Sequence, residues 1–203
     1  MLKVYKHKLD IFELKNELNE IFKWNTFLDS FHKHSISLLT EDITPESHKN
    51  FHNNIPFSKK RLEEFPRFYS IWKMFSNLSE VTSFRIMEKK PNTSYGLHTD
   101  NDAGEIYRFQ LPIQTNDRCW LGLTSLDEIE EGWTPDNSYF KVDLEKRFGD
   151  RIFFFQLDEG VIHHFDVTKI HTLTNEGNVS RYTLLIDVKR NRTVLDFISN
   201  NFY

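Results

Sequence analysis

Apolar residues recur at helical spacing in the first third of the chain and at a period near two in the remainder. Leu14, Leu18, Ile21 and Phe22 form a stripe with steps of three and four residues, the mark of a helix with one buried face. Asp10 precedes that stripe with Glu13 three positions on, a capping-box pattern. Phe68, Ile71, Trp72, Phe75 and Leu78 make another stripe, with Pro66 suited to its first turn, and Thr44-Pro45-Glu46 reads as a further helix start. These amphipathic stripes predict a helical scaffold, so residues 1–80 are expected to be mostly helical support.

From Val81 onwards the alternation predicts strands at Val81–Met87, Ile106–Ile113, Trp120–Leu123, Tyr139–Val142, Arg151–Leu157 and Arg181–Val188. Turn chemistry separates them, as in Lys90-Pro91-Asn92, Asn101-Asp102-Ala103-Gly104 and Phe148-Gly149-Asp150. Helices followed by many closely spaced strands predict a mainly β fold buttressed by helices, best matched by a jelly roll, or double-stranded β-helix, of the cupin kind. With no linker or repeat, the expectation is one domain over 1–203, with the jelly-roll core at 81–190 and a C-terminal tail at 191–203.

Composition narrows the functional classes. Only 38% of the residues are apolar, but nineteen Phe, seven Tyr and four Trp supply large buried areas. The net charge of −4 and the absence of a recurring Lys/Arg stripe argue against a nucleic-acid partner. A single cysteine, Cys119, excludes an intrachain disulfide framework and fits a reducing compartment. No apolar run has the length of a membrane span and the polar start is unlike a signal peptide, so a cytoplasmic location without membrane attachment is expected.

The chemistry-bearing residues cluster in the β-rich part. In an extended Leu97–Asp100, His98 and Asp100 stand at i and i+2 and point to the same side. Two histidines and one carboxylate are the ligand set that holds non-heme iron(II) on one face and leaves the other positions open. The second histidine has rival candidates. His7, His32, His34, His48 and His52 fall in the helical part, whereas His163 and His164, in an expected turn after Gly160, compete with His171. Being adjacent, His163 and His164 should point apart. Ten residues after His171, alternation puts Arg181, Thr183, Leu185 and Asp187 on one strand face and Tyr182, Leu184, Ile186 and Val188 on the other. An Arg beside a Thr suits a carboxylate. In Ile106–Leu111, Arg108 and Gln110 share one face and Tyr107, Phe109 and Leu111 the other.

Taken together, His98-Thr99-Asp100, Tyr107 to Asn116, Gly149-Asp150, His171-Thr172-Leu173-Thr174-Asn175-Glu176-Gly177 and Arg181 to Asp187 resemble the aspartyl/asparaginyl β-hydroxylase family of iron(II)/2-oxoglutarate-dependent dioxygenases. The similarity runs from about Phe84 to Lys189. It implies that His98, Asp100 and His171 are the Fe(II) ligands and that Arg181 pairs with the distal carboxylate of 2-oxoglutarate, with Thr183 as a hydroxyl helper. Arg108 matches a second arginine associated with co-substrate binding. Gln110 stands where the family commonly has His, and a Gln can hydrogen-bond but not titrate. The retained Asp100 implies hydroxylation rather than halogenation. The resemblance further implies an amino-acid, peptide or protein substrate, with O₂ consumed and succinate and CO₂ released. Two alternatives use the same scaffold: a non-oxidative cupin-like zinc or manganese protein, in which Arg181 has no necessary part, and a binding protein.

Overall fold

The computed structural model describes residues 1–24, 35–38, 62–100, 104–126, 128 and 139–203. The expected helix start at Thr44-Pro45-Glu46, the histidines at 32, 34, 48 and 52, and most of the 101–104 turn lie outside these residues.

Two of the helical stripes fold as read. Helix α1 (Ile11–Trp24) buries Leu14, Leu18 and Ile21, and the Asp10 carboxylate accepts the amide of Phe12 at 3.0 Å. Helix α2 (Pro66–Ser76) begins at the expected proline and buries Phe68, Ile71 and Phe75. Its first free amides, on Arg67 and Phe68, are capped from α1 by the Glu17 carboxylate at 2.9 to 3.1 Å. A carboxylate at a helix N-terminus meets both the unpaired N–H groups and the positive end of the dipole.

The helical third also contains strands, contrary to a reading based on stripes alone. β1 (Lys3–Lys8) pairs with β8 (Val161–His164), and β2 (Ser35–Ser37) pairs with β3 (Val81–Lys89). The remaining strands are β4 (Thr93–His98), β5 (Ile106–Gln114), β6 (Cys119–Thr124), β7 (Ile152–Phe155), β9 (His171–Asn175) and β10 (Arg181–Lys189). They form an antiparallel six-stranded sheet ordered β1-β8-β5-β10-β3-β2 and a four-stranded sheet ordered β4-β9-β6-β7. This is the expected jelly roll. The main core lies on the helix side of the larger sheet, where Phe84, Ile86, Phe109, Leu111, Leu184, Ile186 and Val188 meet α1 and α2. The opposite face of that sheet is left to look at the smaller one.

Three local expectations are corrected. Tyr139–Val142 is not a strand, because helix α3 (Lys141–Phe148) starts there. Val142 is 66% exposed whereas Leu144 and Phe148, four apart, are buried, so the working period is four. The 191–203 tail contains helix α4 (Arg192–Asn201), capped by the Asn191 side chain accepting the Val194 amide at 2.8 Å and docked through Val194 and Ile198. His163 and His164 lie in β8 rather than in a turn. The turn ends at Gly160, whose φ of +77° suits glycine.

Candidate metal centre

Register brings the site together. In the pairing of β4 with β9, His98 stands directly opposite His171, so both imidazoles leave the smaller sheet on one face. Asp100 follows two residues after His98, its amide donating to the Val167 carbonyl at 3.0 Å. One donor atom from each of His98, Asp100 and His171 lies within 4.8 Å of the others, and among the described residues this is the cluster close enough for one ion to touch all three. Nε2 of His98 lies 3.7 Å from one carboxylate oxygen of Asp100 and Nε2 of His171 lies 3.8 Å from the other.

The tautomers are set by the backbone. Nδ1 of His98 donates to the Gly96 carbonyl at 2.8 Å, and Nδ1 of His171 donates to the Lys169 carbonyl at 2.9 Å. Each bond keeps the proton on Nδ1 and turns the lone pair of Nε2 towards the cluster, the arrangement metal-binding histidines use. Burial, then the neighbouring His98, push His171 down to about 4, so it is a neutral ligand at ordinary pH. Two imidazole nitrogens and one carboxylate are a donor set that fits a divalent ion.

A cavity of about 320 Å³ opens from the cluster between the two sheets. Its walls include Arg85, Met87 and Lys89 from β3, Arg108 and Gln110 from β5, and Thr183 and Leu185 from β10. The alternation read for β10 therefore holds: Thr183 faces the cavity while Leu184 and Ile186 face the helices. Arg181, on the same strand face as Thr183, is 1% exposed. Its Nε donates to Thr183 Oγ1 at 2.9 Å and its Nη1 points at Cys119 Sγ at 3.9 Å, while Nη2 is buried with no hydrogen-bond partner. Among the described residues no carboxylate pairs with this guanidinium, and burial pulls its pKa down. A buried cation so placed is incomplete without an anion.

Arg108 lies between the metal cluster and the sheet. It stands opposite Asp187 in register, forks onto that carboxylate and also donates to Asp100. Its guanidinium thus supports the Asp100 carboxylate and also lines the cavity, where the resemblance implied co-substrate binding. Gln110 lines the cavity. The rival histidines separate as adjacent strand residues must. His164 packs on Phe109, away from the cavity, with Nδ1 on the Arg108 carbonyl at 2.8 Å. His163 stands opposite Gln110 in register, on the inner face, but neither belongs to the three-residue cluster.

Two cavity cations escaped the sequence reading. Arg85 has a buried Nε without a partner, and Lys89 lies opposite Arg181 in the β3–β10 register. The signal was present as Arg85-x-Met87-x-Lys89, three alternate positions on one strand face.

The connection between the second histidine and the arginine is held by amides. Asn175 Nδ2 donates to the carbonyls of Lys89 and Val179, both at 2.9 Å, and its Oδ1 accepts from Asn116 Nδ2 at 3.0 Å and the Gly177 amide at 3.2 Å. A Cβ on Gly177 would come within 2.2 Å of Asn116 Oδ1. This network explains why an Asn-x-Gly stands between His171 and Arg181.

A family model described as aspartyl/asparaginyl beta-hydroxylase matches residues 6–191. No curated protein sequence matches the chain. Among solved structures the fold is similar to that of AviO1 from Streptomyces viridochromogenes Tue57, at 12% identity and a TM-score of 0.52, over 94% of this chain and 90% of that one. It is also similar to HygX from Streptomyces hygroscopicus. The iron-bound form matches at 10% identity and a TM-score of 0.50, over 94% and 83% of the two chains. The form with nickel and 2-oxoglutarate bound matches at 8% and 0.51, over 90% and 78%.

Proposed function

This chain belongs to the aspartyl/asparaginyl β-hydroxylase family, and from that premise we propose that it is an iron(II)- and 2-oxoglutarate-dependent dioxygenase that hydroxylates an amino-acid side chain, free or within a peptide or protein. The observation that carries this reading is the buried guanidinium of Arg181, which has no carboxylate partner among the described residues and donates to Thr183 in the wall of the cavity that His98, Asp100 and His171 share. A zinc or manganese site needs the three donors but has no use for that cation. A structure similar in fold, HygX, has been obtained with nickel and 2-oxoglutarate bound.

When bound, iron with 2-oxoglutarate and O₂ supplies the oxidising chemistry, with decarboxylation to succinate and CO₂ coupled to hydroxylation. The protein's share is placement. His98, Asp100 and His171 would hold the metal on one face, with the Nδ1 bonds to Gly96 and Lys169 keeping both rings in the ligating tautomer. Arg181 and Thr183 would orient the co-substrate through its distal carboxylate, by a fork and a hydroxyl on the same strand face. Leu121, Leu173 and Leu185 make the walls apolar, which limits water around the reacting centre. Arg85 gives the substrate a guanidinium to meet.

The test is 2-oxoglutarate turnover to succinate with iron(II) under air, in wild type and in His98→Ala. Iron-dependent succinate formation that the substitution abolishes is the expected outcome. A protein neither stabilised by metal and 2-oxoglutarate nor capable of turnover is not such an enzyme.

A further inference from the structure

Among the described residues Arg85, Lys89 and Arg108 line the cavity and Arg181 lies against its Thr183, and their partners differ. Arg108 is matched to Asp187 and Asp100. Arg85 lies near the same carboxylates. Arg181 and Lys89 are different: among the described residues neither forms an ion pair, and they face each other across the β3–β10 ladder. Like charges directly opposite on a sheet repel, and both are removed from water, Lys89 being 6% exposed.

The surroundings of Lys89 come from several strands. Its Nζ lies 3.6 Å from the centroid of the Tyr95 ring on β4. Arg181 comes from β10 and Cys119 from β6, both close enough to act on its charge. Glu88, the adjacent residue on its own strand, has its carboxylate held by Ser180 and Tyr182, from which it accepts. A ring face is a partial partner for an ammonium, and it leaves the N–H donors able to reach an anion. Among the described residues no carboxylate forms an ion pair with this ammonium.

We propose that Lys89 is the second cation of the co-substrate subsite and shares with Arg181 the distal carboxylate of 2-oxoglutarate. This assignment rests on the reading of the chain as a 2-oxoglutarate-dependent enzyme. The guanidinium fork orients the carboxylate; the ammonium adds a point charge from the facing strand. Lys89 is thus a positioning residue for the co-substrate, not a metal ligand.

A proton follows the anion. Without ligand, burial pushes Lys89 down to about 7, with Cys119 acting in the opposite sense and Arg181 adding a smaller push downward. A bound carboxylate raises it again, so above pH 7 the complex holds more protons than the free protein. Affinity for 2-oxoglutarate therefore falls as pH rises from about 7 towards the pKa of the bound form.

Calorimetry on iron(II)-loaded protein without oxygen tests both parts. The probes are 2-oxoglutarate and 2-oxopentanoate, which has the same chain length and lacks the distal carboxylate. Lys89→Met is expected to bind 2-oxoglutarate about ten- to a hundredfold more weakly, the loss of one charged hydrogen bond, and 2-oxopentanoate within about twofold of wild type, as lost discrimination requires. Lys89→Arg restores most of the 2-oxoglutarate affinity. In buffers of different ionisation heat at pH 8, wild type takes up a fraction of a proton on binding 2-oxoglutarate and Lys89→Met takes up none. Equal weakening of both acids, unchanged 2-oxoglutarate binding, or proton uptake that persists in Lys89→Met overturns the assignment. Wild-type protein that does not bind 2-oxoglutarate overturns the co-substrate reading beneath it.

Discussion

Arg108 grips Asp187 through two parallel bonds, Nε to Oδ1 at 2.7 Å and Nη2 to Oδ2 at 2.8 Å, and with Nη1 it reaches Asp100. One guanidinium therefore connects a buried strand carboxylate to the carboxylate of the metal cluster. The register makes this possible, because Asp187 and Arg108 are directly opposite on β10 and β5. Such outer contacts orient a ligating carboxylate and tune its basicity.

Replacing Arg108 with Lys keeps the charge and removes the fork. Metal affinity is expected to fall by about ten- to a hundredfold, while the metal-saturated protein binds 2-oxoglutarate within about twofold of wild type because the Arg181 contact survives. Competition with a chelator measures the first and calorimetry the second. A variant with normal metal affinity and impaired 2-oxoglutarate binding would return Arg108 to the role of a co-substrate clamp.

Arg181→Lys should show the reverse pattern. The fork, the Nε bond to Thr183 Oγ1 and the orphan Nη2 all disappear, so 2-oxoglutarate binding weakens by at least about tenfold, as for a lost charged hydrogen bond. Metal affinity stays near wild type, since Arg181 donates to Thr183 and Cys119 rather than to a ligand. Equal losses of metal and co-substrate would contradict the separation of the two roles.

Gly177→Ala is expected to destabilise the fold by about 1–3 kcal/mol through overpacking. The new methyl has no space beside Asn116, and that side chain holds Asn175, which ties β9 to Lys89 and the chain before Arg181. Thermal melting of the metal-free protein decides it, and a variant that melts with wild type would show that Asn116 yields without cost.

The inner histidine of β8 predicts an acid dependence. Burial first, and the Arg181 charge second, push His163 from 6.5 in its ordinary state down to about 4. Between those values the unfolded chain binds a proton that the folded chain refuses, so stability present above about pH 6.5 is lost as pH falls through 4. The share of His163 is on the order of 3 kcal/mol. His163→Gln should flatten that part of the stability profile in denaturant titrations between pH 4 and 7; a profile parallel to wild type would show that the imidazole is protonated in the fold.

Local chemistry in the sequence was enough for parts of this site. The two strand faces of Arg181–Val188, the i, i+2 relation of His98 and Asp100, and the helical stripes of α1 and α2 all follow from backbone periods that no tertiary contact alters. Where polar residues are buried, the same reasoning failed. Thr172, Thr174 and Asn175 of β9 have no exposure, yet nothing apolar marks them, because their burial depends on hydrogen-bond partners far along the chain. The strand character of His163-His164 was hidden for a like reason.

Legible in the sequence alone, then, were the jelly-roll class, the shared side of His98 and Asp100 in the candidate cluster, and the face that Arg181 shares with Thr183. Tertiary structure decided which residues meet. Pairing β4 with β9 sets His98 against His171, pairing β5 with β10 sets Arg108 against Asp187, and pairing β3 with β10 sets Lys89 against Arg181. Strand register is a long-range property, fixed by which faces must be buried and which amides must be paired, and no local pattern of residues encodes it.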